Sequence, residues 1–247
     1  MLTLPKNEVH LYYTQADSIS SDKLLGRYRA VLSPEEILKV ERYRIQKDRH
    51  LSLVARALVR YLVSEYTGTS AEALAFSMND HGKPNLAPKE EKNDVSKISF
   101  NISHSRGGVV CGICENLEIG VDLEDIRRSV DLGIARRFFA DTEVEFLNRI
   151  PDSDKKKVFF DIWTLKEAYI KAEGKGLAIP LDSFSFETGG PEIKIRFNCA
   201  EKKASDWQFF RWRPKTNKTV AAGVKASAPL SFKTFSCVPF QEITPLS

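Results

Sequence analysis

Apolar residues recur along the chain in two rhythms. In the opening EVHLYYTQ, Val9, Leu11 and Tyr13 alternate with their neighbours at the period of a strand. After a polar stretch comes a helix start: Ser33 is suited to accept backbone hydrogen bonds as N-cap, Pro34 to the first turn, and Glu36 completes a capping box. From about Lys47 to Tyr66, Leu51, Val54, Leu58 and Leu62 recur every three or four residues, which predicts an amphipathic helix closed by Gly68. A short strand around Phe76, an exposed loop from Leu86 to Lys97, and a strand marked by Ile98, Phe100 and Ile102 follow. Val109–Cys114 and Ile119–Leu123 read as a hairpin turning at Glu115–Asn116.

The second half repeats this order. Thr142 and Glu145 stand at capping-box spacing, a long helix from about Asp154 to Glu173 stops at Gly174, and Phe184, Phe186, Ile193, Ile195 and Phe197 mark strands that turn at Gly189–Gly190. Trp207–Trp212 and Thr219–Val224 predict a closing hairpin. A capped acidic helix start, a Gly-closed helix, a Phe-Ser strand and a small-residue strand thus recur at offsets of 106 to 111 residues. Four features in register point to an internal duplication. The expected fold is α+β: two pseudo-symmetric halves, 1–118 and 119–247, each a small antiparallel sheet packed on a long helix.

Composition narrows the class. With 247 residues, 42% of them hydrophobic, the chain can bury a sizeable core, which excludes a disordered tail or a small stapled scaffold. No run approaches the roughly 18 apolar residues of a membrane helix, and MLTLPKNEVH resembles no export signal, so a cytoplasmic address is expected. The 37 Lys+Arg against 33 Asp+Glu are interleaved and form no stripe for nucleic acid. Cys111 and Cys114 form the only close cysteine pair; with no second pair and no helix opening at them, they read as small core residues rather than a zinc or redox motif.

Candidate chemistry gathers in a few places. Asp122 and Glu124, two apart on a predicted strand, share one face, and converging carboxylates call for a cation between them. Glu167 and Lys171 share a helix face between Trp163 and Ile170, a stripe expected to be partly buried. Asn101-Ile102-Ser103-His104-Ser105, running into Gly107-Gly108, offers hydroxyls and an imidazole for a phosphate or purine, and Gly82-Lys83-Pro84 turns Lys83 outward. A surface ion pair, a structural histidine and a plain turn are the simpler readings of these pieces taken singly. Taken as clustered carboxylates with Lys and His, they would also serve a metal-dependent nucleotidyl or phosphate hydrolase.

Together, in this order and ending in WTLKEAYIKAEGKGL from Trp163, the segments resemble the Sfp-type phosphopantetheinyl transferases. The resemblance extends from about Ser33 to Phe186. It implies a monomer of two similar halves with coenzyme A bound in the cleft, transferring the phosphopantetheine arm to a serine of a carrier protein and releasing adenosine 3′,5′-bisphosphate. By position, Asp122, Glu124 and Glu167 correspond to ligands of Mg²⁺ or Mn²⁺. Asp122, Glu167 and Lys171 carry the chemistry, with Lys171 also facing the leaving phosphate, and either Glu167 or a metal-bound water takes the serine proton. Lys39, Lys83, Ser103 and His104 match positions holding the 3′-phosphate and adenine end. One departure stands out: some members carry a base three residues before Lys39, where this chain has Glu36. Carrier choice is expected to depend on the surface from Arg136 to Phe139 and the helix after it.

Overall fold

A computed structural model describes residues 1–87, 97–190, 192–199, 201–214 and 217–246; most of the loop expected between Leu86 and Lys97 lies outside them. The chain divides into two compact units, Met1–Asn116 with Ser231–Ser247, and Leu117–Leu230.

The first unit opens with β1 (Glu8–Gln15), as the alternation predicts. The polar stretch after it holds an unanticipated short helix, α1 (Asp22–Ala30), capped by Ser21 and burying only Tyr28. In α2 (Pro34–Glu41) the predicted capping box is present: Glu36 N–H donates to Ser33 Oγ at 3.3 Å and Ser33 N–H to Glu36 Oε2 at 3.0 Å. The helix α3 (Gln46–Thr67) buries Leu51, Val54, Leu58 and Leu62. It ends at Gly68, whose left-handed φ of 67° carries no Cβ penalty. A small pair, β2 (Phe76–Met78) and β3 (Pro84–Leu86), precedes β4 (Ile98–Ser105) and β5 (Gly108–Glu115). Cys111 and Cys114 are buried on β5 and take part in no disulfide among the described residues.

The expected hairpin across Glu115–Asn116 does not form. β5 pairs with β4 and β1, whereas β6 (Glu118–Asp125) pairs in the second unit with β10 (Lys218–Lys225). Two apolar runs around a turn are equally compatible with a chain leaving one sheet and entering another, and local periodicity does not separate the two.

Within the second unit, α4 (Ala135–Phe138) and α5 (Asp141–Arg149) lead to α6 (Asp152–Glu173). The α5 cap differs from the expected Thr142–Glu145 box: Glu143 reaches back to accept from Ala140 N–H at 3.0 Å, so the helix starts earlier. β7 (Phe184–Glu187) and β8 (Lys194–Phe197) form a two-stranded ribbon, and β9 (Trp207–Trp212) joins β10 in the predicted hairpin. The central sheet has the order β6-β10-β9.

The chain then returns to the first unit. β11 (Ser231–Val238) runs parallel beside β1, and β12 (Glu242–Leu246) pairs with β11, giving a five-stranded sheet β12-β11-β1-β5-β4. The α+β class stands. Against the expected halves, the end of the chain pairs with its beginning, and the larger sheet contains one parallel pairing. Phe235 of β11 stacks on Tyr12 at 4.9 Å between ring centroids, and the Tyr12 hydroxyl bonds to that of Tyr66 on α3, so the returning strand belongs to the same core as the long helix.

Candidate active site

In the second unit, one close approach organises the site. A Cβ on Gly120 of β6 would lie 2.0 Å from the Ala168 carbonyl oxygen and 2.3 Å from the Ala172 nitrogen, so α6 crosses β6 where only glycine admits its backbone. Strand alternation then turns Asp122 and Glu124 to the same face as Gly120, the face covered by α6. Val121 and Leu123 are buried on the opposite face, as expected.

Two further devices fix α6. Its Asp161, buried, accepts from Thr219 Oγ1 of β10 at 2.9 Å, pairs with Arg211 at 3.1 Å and also with Arg213. Its Lys166, fully buried, donates to the carbonyls of Leu181 at 2.7 Å and Phe184 at 2.6 Å and meets Glu143 of α5 at 2.7 Å. Glu143 also accepts from Phe186 N–H at 2.8 Å. Burial pushes the Glu143 carboxyl up and the Lys166 ammonium down, each against the pull of its partner.

On this fixed helix the predicted groups converge in part. Lys171 Nζ donates to Asp122 Oδ1 at 2.5 Å, joining the helix pair to the strand pair. Glu167, half-buried one turn earlier, has its carboxyl raised from the ordinary range, first by burial and then by the charge of Asp122; Lys171 opposes the rise and Glu124 adds to it. Glu124 has a neighbour that its spacing alone did not signal as functional: Arg128, 3.7 Å away, which also stacks over Phe160. Among the described residues no three acids or histidines are gathered closely enough to hold a metal ion, and the Lys171 ammonium is the cation at Asp122.

The first unit holds the other candidates, dispersed. Lys39 is exposed on α2, and Lys83 sits in the turn between β2 and β3. His104 and Ile102 of β4 line an open pocket with Glu36, Ser52, Arg56 and Phe76. Ser103 is buried and, by alternation, points away from that pocket, so the expected neighbours Ser103 and His104 work on opposite faces. Arg56 and the buried Arg60, one turn on, both interrupt the apolar stripe of α3, and periodicity alone does not distinguish one from the other.

Residues 118–228 match the family model described as the 4′-phosphopantetheinyl transferase superfamily, and residues 20–115 match the N-terminal region of a 4′-phosphopantetheinyl transferase. The chain is 36% identical over 178 residues to 4′-phosphopantetheinyl transferase HetI of Nostoc sp., covering 72% of this chain and 73% of that protein. It is also 36% identical over 175 residues to 4′-phosphopantetheinyl transferase Sfp of Bacillus subtilis, covering 71% and 75%. The chain belongs to the 4′-phosphopantetheinyl transferases. The boundary between the two matched regions, 115 to 118, coincides with the crossing from β5 to β6. In this transferase the matched superfamily region contains Asp122, Glu124, Glu167 and Lys171, while Lys39, Lys83 and His104 fall within the N-terminal match.

Proposed function

We propose that this transferase moves the 4′-phosphopantetheine arm of coenzyme A onto a serine of an apo carrier protein, dependent on Mg²⁺, releasing adenosine 3′,5′-bisphosphate and working as a cytoplasmic monomer. The observation that carries the reading is the face shared by Asp122, Glu124, Glu167 and Lys171, in a chain of this family.

The donor set suits a hard divalent cation. Asp122 and Glu124 each push the Glu167 carboxyl up, a mutual repulsion that such an ion would relieve. Asp122, Glu124 and Glu167, not gathered closely enough to hold an ion as they stand, would have to draw together around Mg²⁺ or Mn²⁺, which when bound would supply positive charge to phosphate oxygens. The chain's own groups do the rest. The serine Oγ attacks the phosphorus nearer the pantetheine, and the bond from that phosphorus to the bridging oxygen of the pyrophosphate breaks. Lys171 Nζ, released from Asp122, neutralises the charge gathering on the departing phosphate. Glu167, on the same face as Asp122 and Lys171, accepts the serine proton. In the first unit, His104, Lys83 and Lys39 serve the adenine and 3′-phosphate end, and Ser103 supports β4 from the buried face. The carrier docks near Arg136, which shares a pocket with Val144, Leu147 and Lys155.

The test is incubation with coenzyme A, Mg²⁺ and a panel of apo carriers from fatty-acid, polyketide and peptide-synthetase systems, read by intact mass. Gain of one phosphopantetheine on the carrier serine, abolished by EDTA, is expected. No gain on any carrier overturns the reading, and release of free phosphate from coenzyme A would point to a hydrolase instead.

A further inference from the structure

We infer that the turn between α2 and α3 is a membrane-contact surface that seats the enzyme on an anionic lipid bilayer, a property separate from the transfer chemistry. Every residue from Glu41 to Arg49 is exposed. Among them Ile45 is 61% exposed and Tyr43 42%, and Leu38, near the end of α2, is 59% exposed. Met78 of β2, also exposed, borders the same pocket as Tyr43 and so joins them from a second element. Single exposed apolar residues are ordinary, but a gathering of large ones marks a surface with a partner. Ile45 is the sharper sign. It stands at the N-cap of α3, where its side chain offers the helix no hydrogen bond and where Ser, Thr, Asp or Asn would add stability. A cap is forgone, and an isoleucine is shown to solvent instead.

Charge completes the surface. From Leu38 to Arg49, Lys39, Arg42, Arg44, Lys47 and Arg49 stand against Glu41 and Asp48, so this short segment carries three of the chain's four net positive charges. Glu41 is engaged with Arg29 at 3.6 Å, and among the described residues no ion pair engages Arg42, Arg44, Lys47 or Arg49. Bases around protruding aliphatic side chains suit one partner. A bilayer interface accepts isolated apolar side chains between its headgroups without a matching cleft, while lysine and arginine stems lie alongside and their charges reach lipid phosphates. A nucleic acid backbone would use the charges and leave Leu38 and Ile45 in water. A stable protein partner covers roughly 800 Å² on each side around a contiguous apolar centre; here the apolar residues are protrusions separated by charges. Among the described residues no helix is long and apolar enough to cross a membrane, so the contact is with the surface of the bilayer.

The experiment uses the full chain and its sedimentation with vesicles of pure phosphatidylcholine and of phosphatidylcholine mixed with phosphatidylglycerol. Wild type is expected to pellet with the anionic vesicles only and to be released by high salt. Ile45→Ser, which supplies a cap, should lower the partition coefficient by about five- to tenfold without lowering the melting temperature. Neutralising three bases, with Arg44→Gln, Lys47→Gln and Arg49→Gln combined, should lower it about a hundredfold. Transfer to a soluble carrier should stay at the wild-type rate in both variants, which separates this surface from the transferase reading. A folded wild type that does not pellet with anionic vesicles overturns the inference and leaves the transferase reading standing. So does binding that falls in the triple variant but not in Ile45→Ser, or tighter binding to a DNA duplex than to anionic vesicles, since charge alone would then be at work. Absence of transfer by wild type overturns the transferase reading and not this one.

Discussion

Asp122 and Lys171 meet across the gap between a strand and a helix, and in the proposed reaction each is displaced from the other. The contact keeps the carboxylate compensated before any phosphate arrives, and it leaves the ammonium about a third exposed and reachable by an anion. Asp122→Asn is expected to cut transfer at least a hundredfold with unchanged circular dichroism, since it removes charge and keeps shape; near-normal transfer by the folded variant would remove Asp122 from the site. Lys171→Met should lower kcat by about 10²–10³-fold, the scale of losing one charged group from a transferring phosphate's surroundings, while coenzyme A binding measured by calorimetry changes less. These four side chains were legible in the sequence because each pair lies within one element, where a period of two or a spacing of four decides the face. Arg56 and Arg128 were not singled out as functional, because their meaning comes from what other elements bring beside them. Ser103 and His104 also lie within one strand, but at adjacent positions, so alternation turns their side chains to opposite faces.

At the scale of the element, α6 is the part on which everything in the second unit depends. Its apolar residues supply packing, and its polar anchors supply register. Glu143→Ala leaves the Lys166 ammonium buried without its counter-charge and is expected to cost about 3–5 kcal/mol, read as a lower urea midpoint at unchanged slope; a loss under 1 kcal/mol would contradict the role given to this pair. Gly120→Ala drives a methyl into the helix backbone and should cost about 1–3 kcal/mol. Because the shift moves Glu167 and Lys171 relative to Asp122, transfer by the folded fraction should fall as well, and a variant destabilised yet fully active would argue against the coupling. The long helices themselves were plain from periodicity and their closing glycines. The α5 cap was read two residues late, because Glu143 does the capping and Ala140 offers no side chain to advertise it.

For the whole molecule, the duplication seen in the spacing captured the helices and most strands but not where the chain ends. Parallel pairing between residues more than 200 positions apart leaves no local trace, so β11 and β12 were unassigned by any pattern. Ending the chain at Leu230 would uncover one whole side of β1, including the Phe235 contact to Tyr12, and the truncated protein is expected to aggregate rather than lose activity alone. A soluble, monomeric truncation with a normal melting temperature would refute this.

The same arrangement sets an order of events on the ribosome. Most of the first unit is synthesised before the second, yet its central strand stays unpartnered on one side until β11 emerges. The unit that begins first therefore finishes last, and throughout translation β1 presents an open hydrogen-bonding edge that nascent chains on neighbouring ribosomes can reach. Synthesis rate and chaperone supply, more than equilibrium stability, are then expected to govern how much of this transferase a cell recovers.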